Sequence, residues 1–358
     1  MTTPAPAFRL GYHPSLDGLR GVAILLVMLY HFGTPVLGGA VGVDVFFVLS
    51  GFLITALIVG EVQRDGRLDF AAFYRRRALR LLPALFTLLL VLVGATVLFR
   101  SRYREEAIRE SWMALLYSLN WFKAYGRVPE NNYLGHTWSL CIEEQFYLLW
   151  PWMLAAMLRF RLRTVAILGL VASGVLLSAG MRALHWTMYH DWDRVYHGLD
   201  SRADGLLVGS LLALVLSRMP AAETSSRRRT AAGWLGVAVL LTLSFLPLTP
   251  FYLVGGIPIA NVSTAAILAA LLAGPPGGLL RRVFEARPLV WVGKISYGLY
   301  LWHVMVPHLL MKMSLRSKPW SIALEAGLSL VLATASYYGL ERYFLQHKQR
   351  PPAATSTP

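Results

Sequence analysis

Long apolar runs separated by short polar connections dominate the chain. Runs long enough to cross about 30 Å of hydrocarbon lie at residues 16–35, 40–60, 81–99, 138–158, 164–184, 200–217, 231–249, 256–274, 295–313 and 319–340. This pattern predicts an all-α fold, a polytopic membrane helical bundle of about ten spans. An eleventh segment, 107–124, is aromatic and half polar, so it could cross the membrane, re-enter it or lie in the interface.

The distribution of basic residues decides the orientation of the predicted spans. With ten spans and a cytoplasmic N-terminus, the cytoplasmic loops carry roughly twice as many Lys and Arg residues as the outer loops. A crossing at 107–124 would reverse that bias. We therefore place 107–124 on or dipping into the outer face, with both termini in the cytoplasm. Residues 1–15 and 346–358 are interpreted as disordered tails of one membrane domain, 16–345.

The composition agrees with a membrane protein and argues against a nucleic-acid partner. Of 358 residues, 56% are hydrophobic and 15% are charged. The net charge of +15 would suit nucleic acid only if the basic residues shared one face, whereas they stand in short clusters between apolar runs. The single cysteine, Cys141, excludes an internal disulfide and a Cys-rich metal site.

One outer loop, 185–198, raises the question of a metal. It holds three histidines and two aspartates, but their spacing matches no recognised ligand pattern, so we expect no metal. Its aromatic residues are interpreted either as an interface belt or as a sugar-facing surface.

Ionisable residues interrupt the apolar runs. Arg20 and His31 stand eleven residues apart in the first run, which places them on one face of a helix and about 16 Å apart along its axis. Taken alone, Arg20 could snorkel to the interface and His31 could be a buried hydrogen-bonding residue. The later runs add polar residues: Asp44, Ser50, His136, Glu143, Glu144, Asp200, Arg202, Asp204 and His303. Because an unpaired intramembrane charge costs about 2.5 kcal/mol or more, the set predicts a polar interior, which a transporter and a membrane enzyme would both need.

Six motifs occur in a fixed order along the chain: D-G-L-R-G-(x)9-H, G-V-D-V-F-F-V-L-S-G-F-L-I, F-Y-R-R-R-A-L-R-L-L-P, W-S-L-C-I-E-E-Q-F-Y-L-L-W-P, S-R-A-D-G-L-L-V-G-S and I-S-Y-G-L-Y-L-W-H. Together they resemble the membrane acyltransferase family 3 from about residue 15 to 345. The resemblance implies a multi-pass enzyme of the inner (cytoplasmic) membrane, among lipids, in a short form without a fused SGNH hydrolase-like domain. It also implies transfer of an acyl group, most often acetyl, to a hydroxyl of an O-antigen, exopolysaccharide, peptidoglycan or glycosylated small molecule.

The same resemblance implies a donor and the residues that use it. The donor would be cytoplasmic acyl-CoA, with acetyl-CoA as the first candidate and no metal. The family's R-x-x-R pattern falls on Arg77 and Arg80, where guanidinium groups can bind phosphates, and Arg20 lies at the donor end of its helix. A positive-inside anchor is the competing explanation, which suffices for Arg75 and Arg76.

The catalytic histidine carried over from the family is His31, as general base for the sugar hydroxyl. A carboxylate would orient its ring and stabilise the imidazolium. Asp44 and Glu143 are the two candidates, and the sequence does not choose between them.

The acceptor side is assigned to three residues: Arg202, Asp204 and His303. Arg202 and Asp204 could instead pair with each other, and His303 could be a structural hydrogen-bonding residue. Ser50 and Cys141 are assigned to helix packing rather than to a covalent intermediate. The competing function is a secondary transporter or an exporter of a lipid-linked glycan or small molecule, in which the same charges would form a proton relay.

Overall fold

The computed structural model of the chain describes residues 11–129, 132–219, 227–275, 277–316, 318 and 320–347. Helices make up all the regular secondary structure in these ranges, which confirms the all-α fold class. Most of the two predicted tails, 1–15 and 346–358, lies outside the described residues.

The helices follow one another with short connections. In the N-terminal part they are α1 (Pro14–His31), α2 (Val41–Asp65), α3 (Phe70–Leu98), α4 (Arg104–Leu115), α5 (Leu119–Ala124), α6 (Trp138–Arg159), α7 (Thr164–Tyr189) and α8 (Trp192–His197). In the C-terminal part they are α9 (Leu199–Leu216), α10 (Arg227–Phe245), α11 (Ile257–Ala273), α12 (Leu279–Phe284), α13 (Arg287–Lys294), α14 (Ser296–Trp302), α15 (Met305–Lys312), α16 (Ser321–Ser336) and α17 (Arg342–His347). A 3₁₀ turn (Gly135–Thr137) precedes α6, and π-helical turns (Tyr252–Gly256 and Tyr337–Glu341) precede α11 and α17.

Several helices have the length and composition of membrane spans. Five stretches within the described residues are long and apolar enough to cross a membrane: Val41–Asp65, Phe70–Leu98, Thr164–Tyr189, Tyr252–Ala273 and Ser321–Gln346. The shortest has 22 residues, about 33 Å at 1.5 Å per residue. The chain is therefore a helical membrane protein, while the count of ten spans and the cytoplasmic termini stay predictions.

The ambiguous segment 107–124 forms two helices instead of one. Tyr117, between α4 and α5, has a positive φ of 51°, and the next amide, Ser118 N–H, donates back to Met113 O at 2.9 Å. The two helices have 12 and 6 residues, so neither is long enough to cross the hydrocarbon by itself.

The run 295–313, predicted as one span, is broken at His303 and Val304 between α14 and α15. The ring Nδ1–H of His303 donates to the carbonyls of Leu299 (3.0 Å) and Tyr300 (2.9 Å). Four residues after His303 stands Pro307, which has no N–H to donate to the His303 carbonyl. Hydropathy detects neither of these two causes of the break, because the run as a whole is apolar.

Helix α3 begins earlier than hydropathy predicts. The apolar run starts at 81, whereas the helix starts at Phe70, where the Asp69 carboxylate caps it by accepting from Ala72 N–H at 2.9 Å. Arginine is a good helix former, so the arginine-rich stretch continues the helix. Arg77 and Arg80 are therefore one helical turn apart on α3.

The chain divides into two units: residues 1–68 with 112–296, and residues 69–111 with 297–358. In the first unit α2 lies centrally and packs against α1, α6, α9 and α11, while α7 packs on α9 and α10 packs on α11. In the second unit α3 packs against the π turn at Tyr337–Glu341 and against α17. There the Tyr297 hydroxyl donates to Leu81 O at 2.9 Å.

Two glycines allow the close approach of α2 and α9. A Cβ atom on Gly51 would lie 1.8 Å from the Leu206 carbonyl oxygen, and one on Gly209 would lie 2.0 Å from the Val48 carbonyl oxygen. Small residues at helix contacts are typical of membrane bundles, where backbone approach strengthens packing. A hydrogen bond from Thr55 to Ser210 (2.9 Å) joins the same two helices.

We predict opposite effects for glycine substitutions inside and outside this contact. Gly51→Ala or Gly209→Ala should destabilise the protein by about 1–3 kcal/mol, because the methyl group forces the helices apart. Gly169→Ala on α7, where the new Cβ would meet nothing within 4 Å, should be neutral or stabilising by up to about 1 kcal/mol. Thermal unfolding in detergent measures both. Equal midpoints for Gly51→Ala and Gly169→Ala would contradict the described packing.

Candidate active site

Helix α1 carries Arg20 in its second turn and His31 at its last residue. The Arg20 Nε and Nη2 groups donate to the Ser296 hydroxyl at 3.2 and 3.0 Å. The Nδ1 atom of His31 lies 2.9 Å from the Val27 carbonyl oxygen. Because a carbonyl can only accept, Nδ1 carries the hydrogen, and Nε2 is the basic nitrogen of the neutral ring.

Asp44 on α2 is buried and held on both sides. Its exposed fraction is 1%. Its Oδ1 accepts from Nη2 of Arg202 at 2.8 Å, and its Oδ2 accepts a short hydrogen bond from the Tyr252 hydroxyl. The structure thus brings together two residues that the sequence assigned to different roles, the orienting carboxylate and the acceptor side. Whether Asp44 or Glu143 orients His31 stays a prediction.

Aromatic rings surround the guanidinium group of Arg202. Its central carbon lies 5.5 Å from the ring centre of Phe47, 5.6 Å from that of Trp138 and 5.1 Å from that of Tyr196. Cation–π attraction strengthens when water is excluded, and here the Arg202 side chain has 0% exposure. These contacts partly replace the hydration that the buried cation has lost.

Asp204 belongs to a second buried ion pair, with Arg182 of α7 rather than with Arg202. Nη1 of Arg182 lies 2.9 Å from Oδ2 of Asp204 and donates to the Ser201 carbonyl at 2.7 Å. Oδ2 of Asp204 also accepts from the Asn261 side-chain amide at 3.1 Å. The two pairs therefore join α2 to α9 and α7 to α9.

Asp44, Arg202, Asp204 and their side-chain partners form a buried polar centre. Three of its members were not identified from the sequence: Arg182, Asn261 and Tyr252. Arg182 and Asn261 carried a usable signal, since each stands inside an apolar run where a polar side chain needs a partner. Tyr252 gave no comparable signal, because tyrosine is common near the ends of spans. It lies on the π-helical turn before α11, a type of distortion that is frequent at functional sites.

The predicted carboxylate Glu143 is half-buried on α6, next to the half-buried Glu144. The following residue, Gln145, joins α6 to α5: its Oε1 accepts from Trp121 Nε1 at 3.2 Å, and its Nε2 donates to Asn120 Oδ1 at 2.9 Å. Cys141, one turn earlier on the same helix, is fully buried.

Residues 185–198, predicted as one outer loop, form the last turn of α7 and the short helix α8, which contains a histidine–aspartate pair. Nδ1 of His197 lies 3.0 Å from the Asp193 carbonyl oxygen and 3.3 Å from its Oδ1. The hydrogen bond to His197 lowers the pKa of the Asp193 carboxyl, and burial lowers the pKa of His197. Across the described ranges, no group of three or more His, Cys, Asp or Glu residues is placed to hold a metal ion.

Three predicted residues lie in the second unit. Arg77 and Arg80 are half-buried on α3, and Arg80 interacts electrostatically with the buried Glu341. His303 is completely buried and bonds to backbone carbonyls at the break after α14.

Comparison with known protein families shows to which family the chain belongs. A family model described as an acyltransferase domain, Acyl_transf_3, matches residues 13–340. The chain belongs to this acyltransferase family. Membership agrees with the resemblance carried by the six motifs.

Relatives of this family member are known in several bacteria. The O-acetyltransferase OatA of Staphylococcus aureus is 36% identical over 305 residues, which cover 82% of the chain and 50% of the relative. The peptidoglycan O-acetyltransferase OatA of Listeria monocytogenes is 32% identical over 348 residues, covering 92% and 55%, and YrhL of Bacillus subtilis is 35% identical over 350 residues, covering 92% and 54%. The chain thus spans about half the length of the curated relatives it matches. No solved structure matches it.

The buried pair of Arg202 and Asp44 predicts strong coupling between two substitutions. Arg202→Leu should destabilise this acyltransferase family member by about 3–5 kcal/mol, because it leaves the Asp44 carboxylate buried without its cation. Adding Asp44→Asn should recover part of that loss. Unfolding of both single variants and the double variant gives the coupling free energy, and we expect it to exceed about 1 kcal/mol. Additive effects would show that the two side chains do not pair.

Proposed function

We propose that the chain is an integral membrane O-acyltransferase, which moves an acyl group from cytoplasmic acyl-CoA to a hydroxyl of a glycan. Family membership over 13–340 supports the reaction class, and the names of the relatives favour acetyl as the acyl group and peptidoglycan sugars as the acceptor. The observation that carries the mechanism is the hydrogen bond from His31 Nδ1 to Val27 O, because it leaves the proton-accepting role to Nε2.

The proposed reaction uses His31 first as base and then as acid. Nε2 takes the proton of the sugar hydroxyl while that oxygen attacks the thioester carbonyl. The carbon–sulfur bond then breaks, and the imidazolium returns the proton to the departing CoA thiolate. The products are an O-acyl sugar and free CoA, so no further reactant is needed. A carboxylate, Asp44 or Glu143, would stabilise the transient positive charge on His31.

Cationic side chains would bind the donor. We assign Arg77 and Arg80 on α3 to its phosphates, because a guanidinium group makes charge-assisted and often bidentate hydrogen bonds to phosphate oxygens. Arg20, near the start of α1, is likewise assigned to the donor. Arg202, Asp204 and His303 remain assigned to the acceptor side, the first two as members of the buried polar centre.

A transporter would use the same buried charges as a proton relay. Membership of an acyltransferase family makes that alternative the weaker one. Experiment distinguishes the two functions, because a transporter needs no acyl-CoA and transfers no labelled acyl group to a glycan.

Transfer of labelled acetyl from acetyl-CoA to peptidoglycan glycan strands, by the purified protein in lipid nanodiscs, tests the proposal. His31→Ala should lower the turnover rate by about 100- to 10,000-fold, the usual contribution of a general base. Arg77→Ala should raise the KM for acetyl-CoA about tenfold or more, because a charge-assisted hydrogen bond is lost.

Arg75→Ala is the matched control, because Arg75 is exposed on the same helix. It should leave both kinetic constants unchanged. Unfolding midpoints close to that of the unmodified protein would show that the variants are folded. Full activity in His31→Ala would exclude the proposed base, and no label with any acyl-CoA would exclude the acyltransferase function.

A further inference from the structure

Two aromatic rings lie nearly parallel to each other at the end of α5. Trp121 and Tyr125 stand one helical turn apart, with ring centres 6.2 Å apart and ring planes inclined by 21°. Tyr125 is 61% exposed. An exposed tyrosine ring held parallel to a tryptophan ring presents a poorly hydrated apolar face.

A charged pair lies beside these rings. The guanidinium carbon of Arg194 on α8 lies 5.5 Å from the ring centre of Trp121 and 6.0 Å from that of Tyr125. Its two Nη atoms donate to both oxygens of Asp200, at 2.9 and 2.6 Å. We call Trp121, Tyr125, Arg194 and Asp200 the aromatic platform. All four belong to the first unit.

Buried amides fix the orientation of the aromatic platform. Trp121 donates to Gln145 of α6, as described above, and the Asn120 side-chain amide donates to the His197 carbonyl at 3.3 Å. Helix α8 is capped by the Asp191 carboxylate, which accepts from the Arg194 N–H at 3.0 Å. The platform is therefore organised before any ligand arrives, which lowers the entropic cost of binding.

The chemistry of the aromatic platform selects among possible ligands. An anionic lipid headgroup or phosphate would compete with the Asp200 carboxylate for the Arg194 guanidinium, on which the Asp191 carboxylate also acts, so an anion is disfavoured. An interface belt requires aromatic rings beside lipid but has no need of a bidentate ion pair next to those rings. A pyranose ring matches both parts: its C–H face can stack on an aromatic ring, and its hydroxyls can donate to a carboxylate and accept from a guanidinium.

We propose that the aromatic platform binds a neutral sugar unit of the glycan acceptor, next to Tyr125. This inference rests on the proposed function for the identity of the acceptor. Arg194 and Asp200 would hold the hydroxyl rim while the tyrosine ring covers the apolar face. The platform would thereby contribute to acceptor affinity and not to the chemical step.

The test compares Tyr125→Ala, Tyr125→Phe and Trp112→Ala in the 358-residue chain reconstituted in lipid nanodiscs. Trp112 is the control, because it is also an exposed aromatic residue (59%) of the neighbouring helix α4. Binding of an N-acetylglucosamine tetramer is measured by titration calorimetry without acyl-CoA, and acetyl transfer to the tetramer is measured separately. Tyr125→Ala should weaken the Kd and raise the acceptor KM roughly five- to tenfold, with kcat and the KM for acetyl-CoA unchanged.

Tyr125→Phe should retain most of the affinity, because the ring face is kept, and Trp112→Ala should bind like the unmodified protein. An unchanged Kd in Tyr125→Ala, or equal losses in Tyr125→Ala and Trp112→Ala, would overturn the platform. Because tetramer binding is measured without donor, failure of acetyl transfer alone would count against the proposed function and leave the platform supported.

Discussion

Buried charge is the constraint on which the rest of the structure depends. Arg202, Asp44, Arg182 and Asp204 are each at most 2% exposed, in a unit built from apolar helices. Removing a charge from water costs several kcal/mol, which only well-placed partners can offset. Each pair joins two different helices, so satisfying the charges also fixes the axial position of α2 and α7 against α9. The glycine contacts between α2 and α9 then bring these two backbones close enough for Asp44 and Arg202 to pair.

Helix α1 connects these buried charges to the residues of the proposed chemistry. Helix α1 packs on α2, so the helix that carries His31 lies against the helix that carries Asp44. Arg20 is held by Ser296 at one end of α1, and His31 ends the helix at the other. Helix α1 thus separates Arg20, which is assigned to the donor, from His31, which is assigned as the general base. In our account, the acyl group crosses the membrane along the part of α1 that lies between Arg20 and His31.

The sequence predicted the helices best where a long apolar run coincides with one helix. The run 40–60 became Val41–Asp65, and 200–217 became Leu199–Leu216, because continuous apolar composition needs a backbone that satisfies its own hydrogen bonds in lipid. Hydropathy missed the start of α3, since arginines are polar yet form helices well. It also missed the break at His303, which depends on a side chain and a proline that leave the composition apolar.

Individual residues of the candidate site could be predicted from the sequence, but not which of them form pairs. Charged residues in apolar runs drew attention to Asp44, Arg202 and Asp204, and the same rule would have found Arg182. Spacing along the chain could not show that Arg202 selects Asp44 while Asp204 selects Arg182, because these contacts join helices far apart in sequence. The same holds for Tyr252, whose contact with Asp44 depends on the π-helical turn.

The most direct test of the central claim is transfer across a membrane by protein reconstituted in one orientation. Acetyl-CoA is supplied on the face that carries residues 61–80, and a membrane-impermeant glycan acceptor is supplied on the other face. Our account predicts labelled acceptor in this arrangement, and none when acetyl-CoA is moved to the acceptor side. Labelled acceptor only when donor and acceptor share one face would contradict the path from Arg20 to His31.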